Sequence, residues 1–153
     1  MSYLRTAGTI FRGGKLAFVS VTSVTIGTAS EVSYVKNSTS LHDIVWTGTH
    51  TADITVSGAG GLDTGAEAAN TLYHIFVIDD TTGASSPDAI LSLSATSPTL
   101  PGTYDIFCRL GAIVNNASSN ILNFIQIGNS RDRWIYYDES AEDVKVLTAG
   151  NAT

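Results

Sequence analysis

Short runs of β-branched and apolar residues, broken by polar turns at intervals of about 8–12 residues, restrict this chain to sheet-built folds. Residues 16–26 read Leu-Ala-Phe-Val-Ser-Val-Thr-Ser-Val-Thr-Ile and predict one strand, ended by Gly27. Further strands are expected over 32–35, 43–46, 52–56, 72–78, 89–94, 104–110, 112–114, 121–127 and 134–137, with an edge strand over 144–147. The run 72–78 is almost wholly apolar, which suits a strand covered on both faces. Asp79-Asp80-Thr81-Thr82-Gly83 has turn composition, and residues 115–120 form a hairpin connection. Helical character is limited to residues 64–70, with at most one short helical turn near 65–70. The expected fold is all-β: an antiparallel, jelly-roll-like β-sandwich in which residues 1–153 form a single domain.

Composition narrows the function classes. Charged residues make up 14% of the chain, well under the ~25% of an average domain, and Ser and Thr together approach a quarter. Enough Val, Ile and Leu remain to build a core, so disorder is excluded. A net charge of −6 with scattered basic residues argues against binding a nucleic-acid backbone. Cys108 is the sole cysteine, so no internal disulfide can form. Residues 1–14 hold no continuous apolar segment, so no signal peptide is expected, and no run approaches the ~18 apolar residues of a membrane helix.

Few motifs suggest chemistry. Leu62-Asp63-Thr64-Gly65-Ala66 matches the Asp-Thr-Gly signature of aspartic proteases, which need two facing carboxylates and therefore, with one copy, a homodimer. The preceding Ser57-Gly58-Ala59-Gly60-Gly61 is a loop instead of the apolar strand such an aspartate requires. His42, Asp43, His50 and Asp53 would form a site only if their strands were neighbours, and their spacing matches no zinc pattern. No cofactor motif is present: the Gly-rich segments lack phosphate-loop spacing. Trp46, Trp134, Tyr136 and Tyr137 are the candidate ligand or interface aromatics, set against ordinary core packing.

The ordered landmarks from Gly58 to Ile78 resemble a module of tailed-bacteriophage and prophage virion proteins. In that module a glycine-rich Leu-Asp-Thr-Gly loop leads into a Tyr-His strand, here Tyr73-His74. The likeness continues at Leu93-Ser94-Ala95-Thr96-Ser97-Pro98-Thr99-Leu100-Pro101, through residues 104–113, and at Phe124-Ile125-Gln126-Ile127-Gly128, similar to the family's Phe-x-Gln-x-Gly. About half the chain is covered. Cys108 stands where the family has an arginine, and the first 56 residues match only loosely.

The resemblance implies a non-enzymatic virion structural protein, a tail or fibre component or a capsid decoration. It further implies contacts with other virion proteins, a trimer by analogy, and a place in particles assembled in the host cytoplasm. Two alternatives follow from the residues: a host-receptor module stacking its aromatics on surface glycans, and a homodimeric protease using Asp63. The last eight residues, Val146-Leu147-Thr148-Ala149-Gly150-Asn151-Ala152-Thr153, do not read as a natural stop, so a longer parent polypeptide is expected.

Overall fold

A computed structural model describes residues 11–27, 29–36, 40–128 and 133–137. The expected edge strand at 144–147 lies outside them. Among the described residues the chain is all-β, with no helix and eleven strands in antiparallel pairings. The strands are β1 (Phe11–Gly13), β2 (Leu16–Phe18), β3 (Ser23–Ile26), β4 (Ala29–Lys36), β5 (Ser40–Trp46) and β6 (His50–Asp53). They continue as β7 (Thr71–Asp79), β8 (Asp88–Ser92), β9 (Ile106–Asn115), β10 (Phe124–Ile127) and β11 (Trp134–Tyr137). Three three-stranded sheets, ordered β1-β4-β5, β2-β3-β6 and β8-β7-β9, and a β10-β11 ribbon make a sandwich-like fold.

β7 is the centre. Tyr73, Ile75 and Val77 enter the main buried cluster with Leu16, Ile26, Ile44, Ile54, Ile106 and Ile113. The alternate residues Phe76 and Ile78 join Ile90 in a second cluster, roofed by Ala59, Leu100, Tyr104 and Phe107. The strand is thus covered on both faces, as its apolar run predicts. The roof is held by polar links: the Tyr104 hydroxyl donates to the Ser86 carbonyl (3.0 Å), and both oxygens of Asp105 accept from Thr81 (2.8 and 2.6 Å).

The Gly-rich loop acts as a seam between two sheets. Asp53 N donates to Gly60 O (2.9 Å), Gly60 N to Ala89 O (2.8 Å), Leu91 N to Gly61 O (2.8 Å) and Asp63 N to Leu91 O (2.8 Å). Backbone therefore runs from β6 through residues 60–63 to β8 without a break in pairing. Gly61 makes this possible, because a Cβ there would lie 2.2 Å from the Val56 carbonyl oxygen.

Several strand boundaries differ from the sequence expectation. Residues 16–26 form a hairpin, β2 and β3, and not one strand. Ser20 makes the turn: its Oγ lies 2.7 Å from Ser23 Oγ and 3.3 Å from Thr22 Oγ1, while Ser23 N donates to Ser20 O. Hydroxyls here do what Gly or Asn usually does. The strand expected over 52–56 stops at Asp53, whose Oδ1 takes both the amide and the hydroxyl of Thr55 (2.8 and 2.6 Å). The two strands expected around Gly111 are one, β9, with a bulge opposite Ile75/Phe76 that moves the core-facing series from Ile106, Cys108 and Leu110 to Ile113 and Asn115. The strand expected over 121–127 is reduced to an isolated Ile121 bridge to Asn115 and then β10. Residues 64–70 carry no helix. They form a loop fixed by Ala68 N donating to the Tyr73 hydroxyl (2.8 Å) and by Asn115 Nδ2 donating to Ala68 O (2.8 Å).

Candidate functional site

The β10-β11 ribbon is amphipathic in an unusual sense. Its register pairs Phe124 with Tyr137, Ile125 with Tyr136, Gln126 with Ile135 and Ile127 with Trp134. Because side chains alternate across a strand, each face receives every second pair.

The inner face is anchored to the body. Phe124 is buried, with edge-to-face contacts to Phe18 (6.5 Å) and Tyr137 (6.3 Å). Gln126 is buried as well, and its Oε1 accepts the Leu16 amide of β2 at 2.7 Å. Ile135 and Tyr137 pack on the main core. The Tyr137 hydroxyl donates to Ala112 O of β9 (3.4 Å), and burial pushes its pKa up to about 12. Just before β11, the Arg133 guanidinium donates to the carbonyls of Gly13 and Gly14, which fastens the β1-β2 turn beneath the ribbon. Burial lowers the Arg133 pKa, and the same setting pushes the nearby Cys108 thiol up to about 12.

The outer face presents Ile125, Ile127, Trp134 and Tyr136, with relative exposures of 66%, 55%, 45% and 48%. Each aromatic has an isoleucine as its cross-strand neighbour. Among the described residues of the ribbon, this face is apolar and carries no charged side chain. Exposed apolar residues scattered singly need no explanation; these four stand out because they share one face of one ribbon.

Of the four aromatics singled out from the sequence, Trp134 and Tyr136 thus come together on one exposed face. Tyr137 turns inward. Trp46 is a core residue, 5% exposed, and is corrected from surface candidate to packing element: its Nε1 donates to Gly27 O (3.0 Å) and its ring meets His50 edge-on at 5.9 Å. Sequence reasoning missed Ile125 and Ile127 as surface residues. In the alternation Phe124-Ile125-Gln126-Ile127, hydrophobicity alone would turn the isoleucines inward and the glutamine outward. The buried hydrogen bond of Gln126 reverses this.

The other candidates have structural partners. Asp63 Oδ2 accepts the Thr99 amide (2.9 Å) and Oδ1 the Thr64 hydroxyl (3.3 Å), so the carboxylate pins the 95–101 loop to the seam. His50 Nδ1 lies 3.5 Å from Asp88 Oδ1 across that seam, while Asp53 is engaged by Thr55; the two do not converge. The side chain of His42 lies outside the described residues. Asp80 is buried, and hydrogen bonds from Thr103 and Thr82 hold its pKa below the usual range. Among the described residues, no group of three or more His, Cys, Asp or Glu side chains is placed to hold a metal ion. No helix among them is long and apolar enough to cross a membrane.

Compared with known proteins, the chain matches no protein-family model, no curated protein and no solved structure.

Proposed function

We propose that the chain is a non-enzymatic structural module of a bacteriophage virion, a tail or fibre component or a capsid decoration, that binds other virion subunits through the outer face of β10-β11. The observation that carries this reading is the exposed Ile125, Ile127, Trp134 and Tyr136 set on a ribbon firmly anchored beneath. Burying an apolar side chain of this size is worth about 1.5–3 kcal/mol. Folding leaves much of that gain unrealised here, so it is available to a partner. The phage-module resemblance supplies the kind of partner, and the Phe-x-Gln-x-Gly landmark coincides with β10 itself.

Trp134 and Tyr136 favour, as a second reading, a glycan platform on the same face. Sugar recognition couples ring stacking with hydrogen-bonding groups beside the rings, whereas the cross-strand neighbours here are isoleucines. That tilts the face toward protein contact. The protease reading would need Asp63 free to share a proton, and its Oδ2 is engaged by the Thr99 amide.

Gold labelling of the chain in purified particles, read by electron microscopy, tests the proposal. Label at fixed positions on the tail or shell is the expected result, and Tyr136→Lys is expected to reduce incorporation. Absence from particles, or a glycan-array signal lost in Trp134→Ala, overturns it in favour of the alternative.

A further inference from the structure

We infer that His74 of β7 and Arg109 of β9 form a binding site for a carboxylate group, on the face of the β8-β7-β9 sheet turned away from the main core. The site is separate from the β10-β11 ribbon and goes beyond the contact proposed for it.

Register brings the two residues together. His74 shares a face with Phe76, two residues on, and Phe76 lies directly opposite Arg109. The bulge at Ile75/Phe76 turns Arg109 to this side. Unbroken alternation back from Ala112, which lies opposite His74, would put Leu110 here and send Arg109 into the core. Instead Leu110 belongs to the main buried cluster and Arg109 is exposed. Phe107, which roofs Phe76, precedes Arg109 on the same face of β9. Ser92 of β8 and Ala112 of β9, the residues opposite His74, are small and uncharged, so Arg109 is the charge that acts on the ring.

Both groups lack partners. His74 is more than nine-tenths buried, and its Nδ1 accepts and donates no hydrogen bond. Among the described residues Arg109 has no hydrogen bond or ion pair. On a chain of net charge −6, an unpaired guanidinium beside a histidine is a local reversal of sign. A planar carboxylate matches the guanidinium fork in a charge-assisted, two-point pair. Its charge also offsets the field of Arg109 at His74. One guanidinium and one neutral imidazole balance a single negative charge, whereas a phosphate dianion would leave a second charge uncompensated. The carboxylate comes from a small acid or from an acidic side chain of a second copy.

Histidine ring NMR of the full chain, with the His74 signal assigned through His74→Gln, tests the site. Sodium glutarate replaces sodium chloride at constant ionic strength. The expected result is a saturable shift of the His74 signal, with about tenfold weaker binding in Arg109→Gln. Arg109 is exposed and unpaired, so that variant should keep its melting temperature. Occupancy raises the His74 pKa and takes up protons, so binding should tighten from about pH 8 to about pH 6. A His74 signal that also moves when the chain is concentrated without glutarate assigns the carboxylate to a second copy; one that does not assigns it to a separate acid. No shift, an equal shift in chloride, affinity indifferent to Arg109→Gln, or affinity indifferent to pH overturns the inference. Tyr136→Lys should bind glutarate unchanged, so this site and the ribbon contact fail separately.

Discussion

β7 and the β10-β11 ribbon are both rich in apolar residues, yet one is sealed and the other is open. From Tyr73 to Asp79 every residue of β7 is buried, because the main core lies under one face and the 95–105 loop over the other. The ribbon has a body beneath it and nothing described above it, so Ile125 and Ile127 are exposed while Gln126 is buried. Burial here follows coverage and hydrogen bonding more than the hydrophobicity of the residue. An isoleucine on β7 stabilises the fold; the same residue on the outer face of β10 has most of its apolar surface left for another molecule.

The sharpest break of this contrast is Ile75→Ala, which removes a wholly buried side chain from the centre of β7. A loss of about 3–4 kcal/mol is expected in urea denaturation. Next comes Gly61→Ala, which would force a Cβ against the Val56 carbonyl and open the seam to β8. About 2–3 kcal/mol should be lost, visible as a lower midpoint with an unchanged slope. On the ribbon's inner face, Gln126→Leu leaves the Leu16 amide without its buried acceptor. That should cost about 1–2 kcal/mol and speed hydrogen exchange at Leu16.

A pH test touches β7 again. His74 is buried with Nδ1 unpartnered, and burial, aided by the charge of Arg109, lowers its pKa below 6.5. The unfolded chain therefore binds the proton more readily, and stability should fall as pH drops from about 6.5 toward the lower folded value. Denaturation midpoints at pH 7.5 and 5.5 should converge in His74→Gln. The smallest effect belongs to the open face: Ile125→Ala should change stability by less than about 0.5 kcal/mol in urea denaturation, while weakening binding of the proposed partner. A large loss of stability there would mean that the face is covered within the chain.

Much of the fold was legible. The continuous apolar run of β7, the Asp-Asp-Thr-Thr-Gly turn after it and the Asn-rich hairpin after β9 are local signals, and each coincides with an observed element. Where reading failed, side chains had replaced the usual turn residues. The Ser20 hydroxyl network folds residues 16–26 into a hairpin, and the Asp53 carboxylate ends β6 by capturing Thr55. Gly111 looked like a break and is a close approach instead, its Cβ position 2.9 Å from the Leu16 side chain. The candidate site was half visible: Trp134 and Tyr136 stood out as aromatics, but the isoleucines that complete their face did not.

By itself the sequence determined the class of the fold, since β-branched runs of strand length with polar turns cannot bury their apolar surface as helices. It also determined that the run of β7 needs cover on both faces. It could not determine which face of β10 points outward: hydrophobicity alone favours Ile125 and Ile127 inside, whereas Phe124 and Gln126 are the buried pair. That was decided by the tertiary structure, through a hydrogen bond between Gln126 and Leu16, 110 residues apart, and through Arg133 reaching the Gly13 and Gly14 carbonyls. Such pairings depend on where distant segments come to lie, and no local pattern of residues contains that information.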